Sequence, residues 1–164
     1  MTWSERINDF KTYLRLEKSL SANTIYAYHS DIVKLVDFLQ ANKLDLLPHQ
    51  IDRQTLIEFI HWVAAAGVSP RAQCRMTSGI KSFFKFLVIS DVIANNPAEK
   101  IDAPKLGRKI PEFLTLSEID QIISSIDLSN PQGQRNRAIV EILYGCGLRV
   151  SELVELKISN LFLR

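Results

Sequence analysis

The segment from Ser69 to about Ser90 constrains this chain more than any other. Ser69 followed by Pro70 reads as a helix start, a capping hydroxyl and then a proline where no N–H is needed. At about 100° per residue, Ala72, Met76, Ile80, Phe83, Phe84 and Leu87 fall on one side. Arg71, Arg75, Ser78, Ser82 and Lys85 fall on the other. A helix with so broad an apolar face is not stable alone in water and has to be covered by further helices.

The residues before it supply the cover. Ile7, Phe10 and Leu14 recur at helical spacing from Trp3 to Lys18. Ser21 is placed to cap a second helix running to about Asn42, striped by Ile25, Tyr28, Ile32, Leu35, Val36 and Leu39. Leu46 to Pro48 is a connector, and Asp52 is placed to cap a third helix through Ile57, Ile60 and Val63 that stops at Gly67. Phe83, Phe84 and Trp62 are expected in the core. The expectation for residues 1–98 is a four-helix bundle.

Asn95-Asn96-Pro97 ends that unit, and residues 99–112, with two prolines, a glycine and several bases, read as an interdomain linker. A second unit, 113–164, opens on Thr115-Leu116-Ser117-Glu118, a capping box for a short helix to about Ile126. Asn130 to Gly133 reads as a turn. Gln134 to Gly145 reads as a helix with Ala138, Ile139, Ile142 and Leu143 inward, and Ser151 as the start of another. No segment alternates like a strand, so the chain is expected to be all-α.

The chain has 164 residues, and a formal charge of +2 says little about partners. The distribution says more. From Phe59 to Ser90 there is no acid, while Arg71, Arg75, Lys81 and Lys85 are present, and Lys100, Lys105, Arg108 and Lys109 follow. Such concentration fits one face meeting a polyanion; a merely solvated helix face is the plainer alternative. Cys74 and Cys146 are far apart and match no metal or redox spacing, which fits a reduced, cytoplasmic setting. His29, His49 and His61 also lack ligand spacing. No metal and no cofactor is expected, and no signal peptide or membrane span is apparent.

The stretch Tyr144-Gly145-Cys146-Gly147-Leu148-Arg149-Val150-Ser151-Glu152-Leu153 sets an arginine among residues that look like core. A partly buried guanidinium needs a partner. Either Glu152 pairs with it at i, i+3 and staples the turn, or an external anion such as a phosphate meets it beside a helix start. Tyr144 is expected to pack.

This stretch resembles the first arginine motif of tyrosine recombinases, the phage-integrase and Xer class. Residues 14–39 resemble the opening helices of that family's core-binding domain, and 69–87 its last major helix. Residues 95–123 resemble the linker and the start of the catalytic domain, and 135–161 complete the likeness. The order and spacing of the pieces are more specific than any one of them. The resemblance implies a core-binding domain followed by the truncated, helical start of a mixed α/β catalytic domain. It also implies site-specific recombination of duplex DNA through a 3′-phosphotyrosyl intermediate, without metal or cofactor, by protomers that form a tetramer on DNA when full length.

Of the catalytic set only Arg149 is matched, as a ligand of the scissile phosphate. The lysine, the His-x-x-Arg motif and the tyrosine nucleophile have no counterpart in these residues. The chain alone is therefore expected not to cut DNA. Arg75, Arg71, Ser78 and Lys85 would meet the DNA, with Asn23 and Thr24 at a phosphate and Lys105, Arg108 and Lys109 along the backbone. The rival readings are a non-catalytic DNA-binding protein derived from an integrase and an all-α protein-interaction module.

Overall fold

The computed structural model describes residues 2–107 and 110–160, and every regular element among them is helical. The chain divides into two compact units, Met1–Arg108 and Lys109–Arg164.

The first unit contains α1 (Trp3–Leu16), α2 (Ala22–Ala41), a 3-10 turn at Pro48–Gln50, α3 (Arg53–Ala65) and α4 (Pro70–Ile89). Each helix begins where a side chain satisfies a free backbone N–H. Thr2 and Glu5 form a capping box on α1. Ser21 accepts from the Thr24 N–H, and Ser69 from the Ala72 N–H with Pro70 in the first helical position. The helices end in tight reversals, where Gly67, at φ 76°, takes the left-handed conformation that lacks a steric penalty only for glycine.

Asp52 caps α3, its carboxylate accepting from the Thr55 N–H at 2.8 Å and the Thr55 hydroxyl at 2.7 Å. Asp52→Ala is expected to cost about 1 kcal/mol at neutral pH. The bonds from the Thr55 backbone and hydroxyl hold the Asp52 carboxyl below the usual carboxylate range. A depressed folded-state value gives stability that is present above the unfolded value and is lost as pH falls through the folded one. The gap in melting temperature between wild type and variant should therefore close in acid, as thermal melts across pH would record.

The core lies where α4 crosses the other three helices. Phe10 of α1, Phe59 of α3, and Phe83 and Phe84 of α4 are all 0% exposed. Ile32, Leu35 and Leu39 of α2 close the same cluster. Phe83 meets Phe10 edge-on at 5.3 Å and Phe84 edge-on at 5.4 Å between centroids, a favoured arrangement for ring quadrupoles. Trp3 stacks on Phe83 and donates its indole N–H to the Leu46 carbonyl at 2.8 Å, which fixes the connector after α2. Trp62 is half-buried against Phe38 and Phe59.

The stretch after α4 stays with this unit. Ala98 and Ile101 are buried in the same cluster. The Arg53 guanidinium donates to the Lys100 carbonyl at 3.2 Å, and the Cys74 thiol to the Pro104 carbonyl at 3.1 Å. The segment is turn at 97–100 and irregular beyond, so it carries no periodicity, and Ala98, Ile101 and the two side-chain bonds to its carbonyls anchor it.

The second unit contains α5 (Leu116–Ser124), α6 (Pro131–Cys146), α7 (Val150–Val154) and a 3-10 turn at Ile158–Asn160. Thr115 and Glu118 cap α5 as expected. Residues 130–133 are not a free turn. Asn130 caps α6 through the Gly133 N–H at 2.7 Å, and the helix begins at Pro131. Gly133 is required there, because a Cβ would collide with the Asp127 carbonyl oxygen.

Among its described residues the second unit buries one large apolar side chain, Ile119. Ala138 and Ile139 of α6 are exposed, and Tyr144, expected to pack, is 51% exposed. Ile142 and Leu143 are half-buried, as an inward side requires, whereas Ala138, Ile139 and Tyr144 stay open because, among the described residues of this unit, α6 meets only α5 and α7.

Candidate nucleic-acid interface

In the first unit, the polar side of α4 and the start of α2 lie together. Arg71, Arg75, Ser78 and Lys85 are all exposed along α4. Arg71, Arg75 and Ser78 are four and three residues apart, which places them on one face over adjacent turns. Lys85 follows ten residues after Arg75, about 15 Å further along the axis. The Ser78 hydroxyl donates to the Cys74 carbonyl at 3.1 Å, leaving its oxygen lone pairs outward.

Arg75 ties this face to α2. Its Nη1 donates to the Asp31 carboxylate at 2.7 Å and to the Ala27 carbonyl at 3.3 Å. Ala27 lies one turn beyond Asn23 and Thr24, so those two residues stand at the end of α2 beside the Arg75 turn. Asn23 is exposed. Thr24 gives its N–H to Ser21, and the two hydroxyls lie 3.0 Å apart, which supports the capping role.

Lys105 is exposed and follows Pro104, whose carbonyl is held by Cys74, the residue before Arg75. The backbone just before Lys105 is thus held at the turn of α4 that carries Cys74 and Arg75. Arg108 and Lys109 lie outside the described residues. Lys85 borders a cleft also lined by Lys18, Lys81, Asn96 and one acid, Glu99. Lys18 was not expected in this company. Its ammonium sits 5.6 Å from the centre of the Tyr13 ring, which places it here, and no local pattern announces such a contact.

Asp31 is 1% exposed, whereas the Arg75 side chain is 45% exposed. Burial pushes the Asp31 carboxyl above its usual range, and the Arg75 guanidinium, helped by Lys34, opposes the rise. The acid therefore carries most of the desolvation cost while the base stays half in water. The site is built to admit the acid. A Cβ on Gly79 would lie 2.8 Å from Asp31 Oδ2 and 3.4 Å from Tyr28. Gly79→Ala should then lower stability by about 1 kcal/mol, although alanine favours a helix interior by 0.5–1 kcal/mol, because overpacking costs about 1–3 kcal/mol. Urea denaturation of the two proteins decides the sign.

In the second unit, Arg149 is neither partly buried nor placed before a cap at Ser151. It is itself the N-cap residue of the five-residue α7, and its side chain is 82% exposed. Glu152 supplies the anion at this helix start: its carboxylate accepts from the Arg149 N–H at 2.7 Å and from Nη1 at 2.8 Å. The internal pair is formed, yet the remaining guanidinium donors face outward. The thin packing of the second unit accounts for the exposure.

Among the described residues no group of His, Cys, Asp or Glu is arranged to hold a metal ion, and no helix is long and apolar enough to cross a membrane.

Comparison with known proteins follows the same division. Residues 7–90 match the phage integrase N-terminal SAM-like domain, and residues 112–164 match the phage integrase family. The chain is 36% identical over 161 residues to a tyrosine recombinase XerD of Listeria innocua serovar 6a, covering 98% of this chain and 54% of that protein. It is 35% identical to XerD of Pseudomonas putida, covering 96% and 52% respectively. Against XerC of Herpetosiphon aurantiacus the identity is 32%, covering 95% and 51%. The chain thus spans about half the length of these curated relatives. Its fold is similar to that of the Tn1549 transposon integrase, solved in complex with a circular intermediate DNA, at a TM-score of 0.65 and 20% identity over 99% of this chain and 50% of that one.

Proposed function

Given that the chain belongs to the phage integrase family, we propose that its first unit is the duplex-DNA-binding part of a tyrosine-type site-specific recombinase. The observation that carries this reading is the open cationic side of α4. Arg71, Arg75 and Lys85 are exposed there, Lys105 follows a residue held at the Arg75 turn, and from Phe59 to Ser90 the sequence has no acid. Of the carboxylates near this side, Asp31 is buried and already engaged by Arg75, and Glu99 lies in a cleft where Lys18, Lys81 and Lys85 outnumber it. Such a strip suits the phosphates of a duplex, which supply most of the affinity without specifying sequence. Ser78, Asn23 and Thr24 add hydrogen-bonding groups at its edges, and Arg108 and Lys109 continue its charge along the chain.

In a protein of the relatives' full length, these residues would serve cleavage and rejoining of DNA through a 3′-phosphotyrosyl intermediate, carried out in the cytoplasm by several protomers that form a tetramer on one DNA. No energy-supplying cofactor is required, since a covalent tyrosine intermediate conserves the energy of the bond, and guanidinium groups such as Arg149 take the charge-stabilising part that a metal would otherwise play. Arg149 binds the non-bridging oxygens of the scissile phosphate as negative charge builds there. These residues supply that guanidinium but no nucleophile in the family's position, so this chain alone binds DNA without cutting it.

Fluorescence anisotropy with a labelled duplex tests the reading. Wild type should bind, and Arg71→Ala with Lys85→Ala should weaken binding by about tenfold at low salt. A trapping substrate that captures any covalent tyrosine adduct should yield none with this chain. Equal binding by the double variant, or no binding by wild type, contradicts the assignment of this face.

A further inference from the structure

We infer that Asp31 is a positioning residue for the DNA contact made by Arg75; the inference rests on the reading of this face as a DNA-binding surface. A guanidinium carries five N–H donors in a rigid plane. Here both of its bonds to α2 come from a single nitrogen: Nη1 donates to Asp31 Oδ2 at 2.7 Å and to the Ala27 carbonyl at 3.3 Å. With one end of the fork fixed, the free Nη2 and Nε edge has the geometry that grips a phosphate bidentately.

The pair also ties α4 to α2, so a positioning role shows in DNA binding and not in stability alone. Asp31 is 1% exposed, so it does not meet DNA, and Arg75 is its ion-pair partner. Gly79 opens the space it occupies, since a Cβ there would stand 2.8 Å from Oδ2. An arginine side chain left unrestrained loses considerable rotamer freedom when it binds. A buried carboxylate, fixed by packing from α2 and α4, removes much of that loss before DNA arrives.

Charge and position make opposite forecasts for Asp31→Asn, which keeps the shape of the side chain and deletes its negative charge. If only net charge counts, the variant binds DNA as tightly as wild type or tighter. If Asp31 positions Arg75, the variant binds about five- to tenfold more weakly, on the scale of one ordinary net hydrogen bond. The slope of log affinity against log salt should then flatten by about 0.9, the loss of one phosphate contact.

Arg75→Lys is the second variant: it keeps the charge, and its ammonium replaces the fork. It should weaken binding to a similar degree, and adding Asp31→Asn to it should cause little further loss, because the two changes remove one arrangement. Circular dichroism confirms that each variant is folded.

Undiminished binding by Asp31→Asn alongside weakened binding by Arg75→Lys overturns the inference and leaves the DNA-binding face intact. If neither variant alters binding while Arg71→Ala with Lys85→Ala does, Arg75 is not at the interface and the inference falls with it. If none of these changes matters, the DNA reading of the face fails as well.

Discussion

Replacing Phe83 with alanine is expected to destabilise the first unit by about 3–5 kcal/mol. The ring is 0% exposed and touches three others, Trp3, Phe10 and Phe84. Those contacts join α1 and α4 and, through Trp3, the connector after α2. Helices that hold the ring in place cannot collapse into the space it leaves, so a cavity term adds to the lost transfer energy. Total stability for a domain of this size is about 5–15 kcal/mol, so the loss is a large share. Both tryptophans, Trp3 and Trp62, lie in the first unit. Urea unfolding followed by their fluorescence therefore reports on that unit, and a shift below about 1 kcal/mol would mean that the ring is not the keystone of the packing described.

The second large effect is expected at Arg149 when these residues are carried in a recombinase of the curated relatives' full length. Arg149→Ala there should slow strand cleavage by about 10²–10³-fold, the usual loss on removing one donor to a developing oxyanion. In the present chain the same change should shift stability by less than about 1 kcal/mol, because an exposed i, i+3 pair contributes little. Glu152 sharpens the comparison. It accepts both the Arg149 N–H and Nη1, so it steadies the start of α7 while leaving the other guanidinium donors outward. A single-turnover cleavage assay set beside a melting curve separates the two roles. Unchanged cleavage would reduce Arg149 to a staple for the turn.

What could be read from the sequence was local. Ser21, Asp52, Ser69 and Thr115 cap the helices they precede because a cap and its N–H lie within one turn. The buried side of α4 was legible for a similar reason, since helical period alone puts Phe83, Phe84, Ile80 and Leu87 together. Asn130 was misread because Asn-Pro-x-Gly suits a turn as well as a cap; the collision that Gly133 avoids, with the Asp127 carbonyl, depends on the approach of the preceding chain.

Long-range partners were not legible. Arg75 and Asp31 are 44 residues apart, and each reads as an ordinary surface charge until α2 crosses α4. The residue before Lys105 is held at α4 by the Cys74 thiol on the Pro104 carbonyl, a pairing that no motif encodes. At Arg149 the sequence misled in the other direction. Apolar neighbours suggested burial, but a residue is buried only when another layer covers it, and Val150 and Val154 of α7 are themselves largely exposed.

The central claim is that the α4 face of this chain holds duplex DNA by its phosphates. The most direct measurement is the affinity of the 164-residue chain for a short duplex between about 50 and 200 mM salt. With Arg71, Arg75, Lys85 and Lys105 engaged, log affinity should fall against log salt with a slope of about −3 to −4. Affinity that does not change across that range, or no binding at its lower end, would contradict the claim.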